Sequence, residues 1–184
     1  MSVELSYETI EPVLPYVATQ LVAEAAALAR EYDWWCEPLK IAANASGRLG
    51  GTTRMFLGRY LPKSGAEVIE VVDDEEWLMI WSDVTFVIAR LSLWSLKYQL
   101  NWKLSSEGDP VGKILNGTQD ERISTFVQGL RSVSSLADDQ VAVISHKYAS
   151  RKTPFLPRLI PSNISVPQRN LDMLFPDKPW WKIW

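Results

Sequence analysis

The sequence predicts a mixed α+β domain followed by an extended C-terminal arm, and three observations carry that expectation. Apolar residues recur at steps of three and four near the N-terminus, apolar and polar residues alternate over 96–104, and prolines crowd the stretch from 154 onward. The expected body, residues 1–153, is a set of N-terminal helices packed on an antiparallel β-meander with one further helix. The expected arm is 154–184.

The first element reads as a helix. Leu14, Val17, Leu21, Ala25, Leu28, Tyr32 and Trp35 would line one face of a 3.6-residue repeat, with Pro12 and Pro15 near its start. Pro38 ends this helix and opens a short second one through Ala45, closed by Gly47. The glycines of "SGRLGGT" then break regular structure before "TRMFLGRYL" resumes as a strand.

The middle reads as β. "AEVIEVV" (66–72) is rich in β-branched residues and leads into the polar turn "DDEE". "WLMIW" and "VTFVIAR" flank Ser82-Asp83 as a hairpin. Leu96, Tyr98, Leu100, Trp102 and Leu104 alternate with Lys97, Gln99, Asn101 and Lys103, the pattern of a strand with one wet face. "SSEGDP" is a loop and "VGKIL" a return strand. A long helix through 77–100 competes, but its polar residues collect on no single stripe. A second helix follows at about 119–136 with Ile123, Phe126, Val127, Leu130, Val133 and Leu136 on one side, and "QVAVIS" reads as a last strand.

Composition narrows the function classes. The 184 residues are 47% hydrophobic and 22% charged, which suits a globular chain. A net charge of −3 supplies no global attraction to nucleic acid or to an anionic membrane. The one cysteine, Cys36, permits no disulfide within the chain and suits a reducing compartment. Asp83, Arg90, Lys97 and Lys103 interrupt the most apolar window, and Glu4 and Glu8 sit where a secretory signal would be basic and then apolar. The expectation is a soluble, cytoplasmic protein without a membrane span. The glycosylation sequons at Asn44, Asn116 and Asn163 are read as chance matches.

Catalytic parts are few. His146 stands in "SHKYASRK" and Cys36 in "DWWCEP", where Asp33 and Glu37 flank the thiol instead of a cation that would activate it. No serine elbow, zinc signature or calcium loop occurs. The acidic stretch Glu67, Glu70, Asp73, Asp74, Glu75 and Glu76 reads as a solvated turn. Hence no catalytic residue, no metal ligand and no cofactor is assigned. "SGRLGGTTR" is a weak anion cradle because it lacks the P-loop lysine and spacing.

Two acid-free segments carry five basic residues each. Lys40, Arg48, Arg54, Arg59 and Lys63 lie in 38–66, and Lys147, Arg151, Lys152, Arg158 and Arg169 lie in 140–171. With Phe56, Tyr60, Tyr148 and Phe155 beside them they define a nucleic-acid reading, with Arg48, Arg54, Arg59, Lys147, Arg151, Lys152 and Arg158 as its contacts. The bland reading is that they complement acidic segments.

The arm carries Pro154, Pro157, Pro161, Pro167, Pro176 and Pro179 and then "WWKIW". Prolines lower the entropy lost when an extended segment docks, and tryptophans are preferred anchors. Burying Trp180, Trp181 and Trp184 would remove roughly 500 Å² from water, on the order of 10 kcal/mol before entropy. Fully extended, the arm reaches roughly 90 Å at about 3.1 Å per residue. The leading expectation is therefore a non-enzymatic interaction or assembly protein, a subunit of a homo-oligomer, shell or larger complex linked through this arm. The alternatives are a nucleic-acid-associated protein and a small-molecule enzyme or binding protein with a tryptophan-lined pocket.

Overall fold

The structure is a computed structural model that describes residues 2–32, 34–56, 60–61, 66–67, 74–134 and 136–140. The chain opens with a strand, Ser2–Thr9 (β1), followed by the helix Pro15–Glu31 (α1), the two-residue strand Ala42–Ala43 (β2) and Leu49–Phe56 (β3). A small ribbon of Tyr60–Leu61 (β4) and Ala66–Glu67 (β5) precedes the long helix Asp74–Tyr98 (α2). Trp102–Ser106 (β6), Asp109–Leu115 (β7), Thr118–Gln119 (β8) and the helix Glu121–Arg131 (α3) complete the described order. Helices and a six-stranded antiparallel sheet, ordered β2-β3-β1-β6-β7-β8, make the fold α+β.

The sequence reading missed β1, which turns out to be a central strand of the sheet. It pairs with β3 on one side and β6 on the other, so Tyr7 lies opposite both Gly51 and Leu104. Its alternation explains the placement: Leu5, Tyr7 and Thr9 are buried, while Glu4, Ser6 and Glu8 turn to the other face. Three inner rows run across the sheet: Thr9–Trp102–Ile114, with Leu49 N donating to Thr9 Oγ1 at 3.1 Å, Gly51–Tyr7–Leu104–Gly112, and Thr53–Leu5–Ser106.

The expected hairpin at 77–90 is instead the middle of α2. Nearly every residue from Trp77 to Ser95 is buried, so the polar-stripe criterion, which holds for surface helices, does not apply. Several of the internal polar groups find partners within the fold. Ser92 Oγ donates to Ile88 O at 3.0 Å, and Ser95 Oγ donates to Leu100 O at 2.5 Å and accepts from Gly117 N at 2.9 Å. Trp77 and Trp81 donate their indole N–H to Leu130 O and Val127 O, tying α2 to α3. By length and composition Trp77–Tyr98 is apolar enough to cross a membrane, yet 83% of that window is buried inside this fold.

The alternation over 96–104 holds as a strand from Trp102 onward. Leu96–Tyr98 close α2, and Gln99 turns the chain with φ +54°. The "SSEGDP" loop shrinks to Glu107-Gly108, both at positive φ, with strand residues on either side. "VGKIL" does form the return strand β7. The expected helix at about 119–136 runs from Glu121 to Arg131, capped by Asp120, whose carboxylate accepts from Arg122 N at 3.0 Å.

The first helix stops at Glu31, short of Trp35 and Pro38, because tertiary partners capture the chain beyond it. Tyr32 is extended and stacks on Phe86 with ring centroids 4.3 Å apart, and Asp83 takes the N–H groups of Trp35 and Cys36. The expected short helix from Pro38 to Ala45 is absent. This stretch instead crosses the inner face, where Tyr7 Oη donates to Lys40 O at 3.1 Å, and becomes the edge strand β2. Gly51 makes the crossing sterically feasible, since a Cβ there would lie 1.8 Å from Lys40 O. Gly50 and Gly51 therefore lie inside β3 rather than in a loop.

"QVAVIS" beyond Gln140, the arm and the boundary expected at 153/154 lie outside the described residues, as does most of "AEVIEVV".

Candidate functional site

The face of the sheet turned away from the helices is polar, and the strand register dictates its composition. One row runs Gly50–Glu8–Lys103–Lys113 across β3, β1, β6 and β7. The next runs Thr52–Ser6–Ser105–Pro110, with a bulge after Leu104 that leaves Val111 as the extra residue of β7. Arg54 stands opposite Glu4 at the end of the face.

Glu8 is the hub of this surface. Its carboxylate accepts from Lys103 Nζ at 2.7 Å and Asn44 Nδ2 at 2.9 Å, and Arg48 Nη1 lies 3.9 Å away. The Lys103 hydrogen bond, aided by the charges of Lys103 and Arg48, holds its carboxyl below the usual range despite partial burial. Glu4 accepts from Ser6 Oγ at 2.9 Å and from Arg54 Nε at 3.5 Å.

Beside the hub, a cleft of about 510 Å³ opens between the sheet and the start of α3. Ser6, Glu8, Lys103, Ser105, Lys113, Asp120 and Arg122 supply its polar lining. Gly112 lets α3 approach β7, because a Cβ there would come within 2.8 Å of Ile123 Cγ1. Among the described residues, neither Lys113 nor Arg122 forms an ion pair.

A second polar cluster is sealed in the core. Asp83 Oδ2 accepts from Trp35 N at 2.7 Å and Cys36 N at 2.8 Å. Burial pushes its carboxyl up to about 7, against the lowering pull of those two backbone donors. Cys36 is fully buried, and burial together with the adjacent Asp83 charge raises its thiol well above the ordinary value. The same two causes raise the Tyr32 hydroxyl. Further along α2, buried Arg90 stands over the Phe86 ring at 5.4 Å. This cluster pins the 34–36 turn to α2 and offers a substrate no access.

The predicted contacts distribute as follows. Arg48 meets Glu8, Arg54 meets Glu4, and Lys40 meets Glu37, so the described cations of 38–66 face acids from β1 and the adjoining turn. Arg59, Lys63, Lys147, Arg151, Lys152, Arg158, Arg169, His146 and the anchors Trp180, Trp181 and Trp184 lie outside the described residues. Trp34, Trp77, Trp81, Trp94 and Trp102 are all buried, and among the described residues no tryptophan lines the cleft. Among the described residues no group of three or more His, Cys, Asp or Glu side chains is arranged to hold a metal. Sequence reasoning overlooked Glu8, Lys113 and Arg122 as surface-site residues, although the alternation of β1 and β7 carried the signal for the first two.

Fold and site together define an α+β protein with one helix-covered and one charged sheet face. No protein family, curated protein or solved structure matches the chain.

Proposed function

We propose that the protein is a non-enzymatic interaction and assembly module, a subunit of a homo-oligomer, shell or larger complex joined through residues 154–184. One observation carries the reading: the body already engages its own tryptophans, while the sequence supplies three more at 180, 181 and 184 beyond a proline-rich stretch. Trp77, Trp81 and Trp94 donate to Leu130 O, Val127 O and Glu24 Oε2 at 2.7, 3.0 and 2.8 Å, inside a core built from elements before residue 132. The additional indoles are an apolar load suited to a docking partner. The sealed state of Cys36 also favours binding over thiol chemistry.

The test is removal of residues 176–184, followed by light scattering with and without nuclease and by tryptophan quenching. The expected outcome is a smaller species with an unchanged unfolding midpoint. Unchanged mass, midpoint and quenching would refute the reading. A mass that falls on nuclease treatment alone would favour nucleic-acid association instead.

A further inference from the structure

We propose that the cleft between the sheet and α3 is a binding site for a phosphate group, free or carried by a small molecule. The argument starts from register. Lys103 on β6 lies directly opposite Lys113 on β7, and like charges directly opposed across strands are destabilising unless something neutralises them. Glu8 pairs with Lys103 and is shared with Arg48 and Asn44, and it forms no ion pair with Lys113.

Arg122 repeats the anomaly on the other wall. It occupies the first turn of α3, where the helix dipole disfavours a cation, and it forms no ion pair among the described residues. The remaining carboxylate of the cleft, Asp120, is committed to the N-cap of the same helix. Three cations therefore face two carboxylates in the cleft, an excess of one positive charge, and Asp120 Oδ1 is turned to the backbone N–H of Arg122. The Ser105 hydroxyl, which makes no hydrogen bond among the described residues, adds a neutral donor on the floor.

The missing counter-charge has a chemical description. Two cations on opposite walls, unpaired among the described residues, match a phosphate group better than a single carboxylate, and a guanidinium beside an ammonium suits tetrahedral phosphate oxygens. A volume of about 510 Å³ admits a small molecule around that group. The row displays no aromatic side chain on its wet face, so base stacking plays no part in the recognition.

The site is independent of the assembly reading and should survive removal of residues 176–184. Its test is a titration of the full chain with inorganic phosphate and with pyrophosphate at constant ionic strength, read by amide and Arg side-chain chemical shifts. Saturable shifts at Gly112, Lys113 and Arg122 are expected, with pyrophosphate the tighter ligand. K113Q and R122Q should each weaken binding by about tenfold, the loss of one charge-assisted contact, while R54Q at the far end of the face leaves it unchanged. Unfolding midpoints of the variants confirm that the fold persists, since both side chains are exposed. Shifts that chloride reproduces at matched ionic strength, or that both variants leave intact, would overturn the proposal.

Discussion

Asp83 offers the sharpest test of the core. Its carboxylate is 1% exposed and satisfies two backbone donors of the 34–36 turn. Replacing it with alanine strands both N–H groups in a buried site, at a cost of about 1–3 kcal/mol each. The aspartate has its own cost, because its folded value of about 7 lies above the ordinary 3.8. The folded chain then keeps a proton that the unfolded chain has released, so this group's contribution is full below about pH 4 and is lost as pH rises to 7. The separation corresponds to about 4 kcal/mol across that window. D83N keeps a carbonyl acceptor for the two N–H groups and removes the titration. Urea unfolding at about pH 4.5 and pH 7.5 should show both D83N and D83A gaining stability relative to wild type as pH rises, with D83A lying below D83N at both because its two N–H groups lose their acceptor. Taking the difference from wild type cancels the opposing titrations of Glu8 and Glu24. A D83N difference that stays flat with pH would refute the account of Asp83 as a buried, protonatable pin.

Two further outcomes test the packing. Glu24 accepts from Trp94 Nε1 at 2.8 Å, Lys97 Nζ at 2.5 Å and Tyr98 Oη at 2.6 Å; burial works to raise its carboxyl, but these bonds together hold it below the usual range. E24Q should lower stability by about 1–2 kcal/mol at pH 7, with the deficit closing as pH falls through the folded-state value, measured by denaturant titration. G51A places a methyl group against Lys40 O, a backbone atom with no rotamer to yield, and should cost about 3 kcal/mol or prevent folding, read from the thermal midpoint and far-UV spectrum.

Several features were legible in the residues themselves. The step-of-three-and-four repeat of Val17, Leu21 and Ala25 located α1, with Pro15 at its start, and the repeat of Ile123, Phe126 and Leu130 located α3. Signals for the missed elements were also present. Leu5, Tyr7 and Thr9 alternate with Ser6 and Glu8, Asn116-Gly117 is a strong hairpin turn, and residues 74–98 contain neither glycine nor proline. That uninterrupted length favours a helix over two strands, and it outweighs the β-branched residues of "VTFVIAR". The cleft was harder to read, because Glu8, Lys103, Lys113 and Arg122 come from three strands and a helix whose register no local pattern encodes.

By itself, the sequence determined the composition class, the α+β character, and where helices α1 and α3 lie, because each depends on local periodicity and on prolines that act within a few residues. The tertiary structure alone decided that α2 is a central helix, that α1 stops at Glu31, and that Lys103 faces Lys113 across two strands. These outcomes rest on contacts between residues far apart in the chain: Asp83 with Trp35 and Cys36, Trp77 with Leu130, and Tyr7 with Lys40. A buried helix can carry polar residues on every side only when such partners exist, and those partners come into being only when the chain has closed around it.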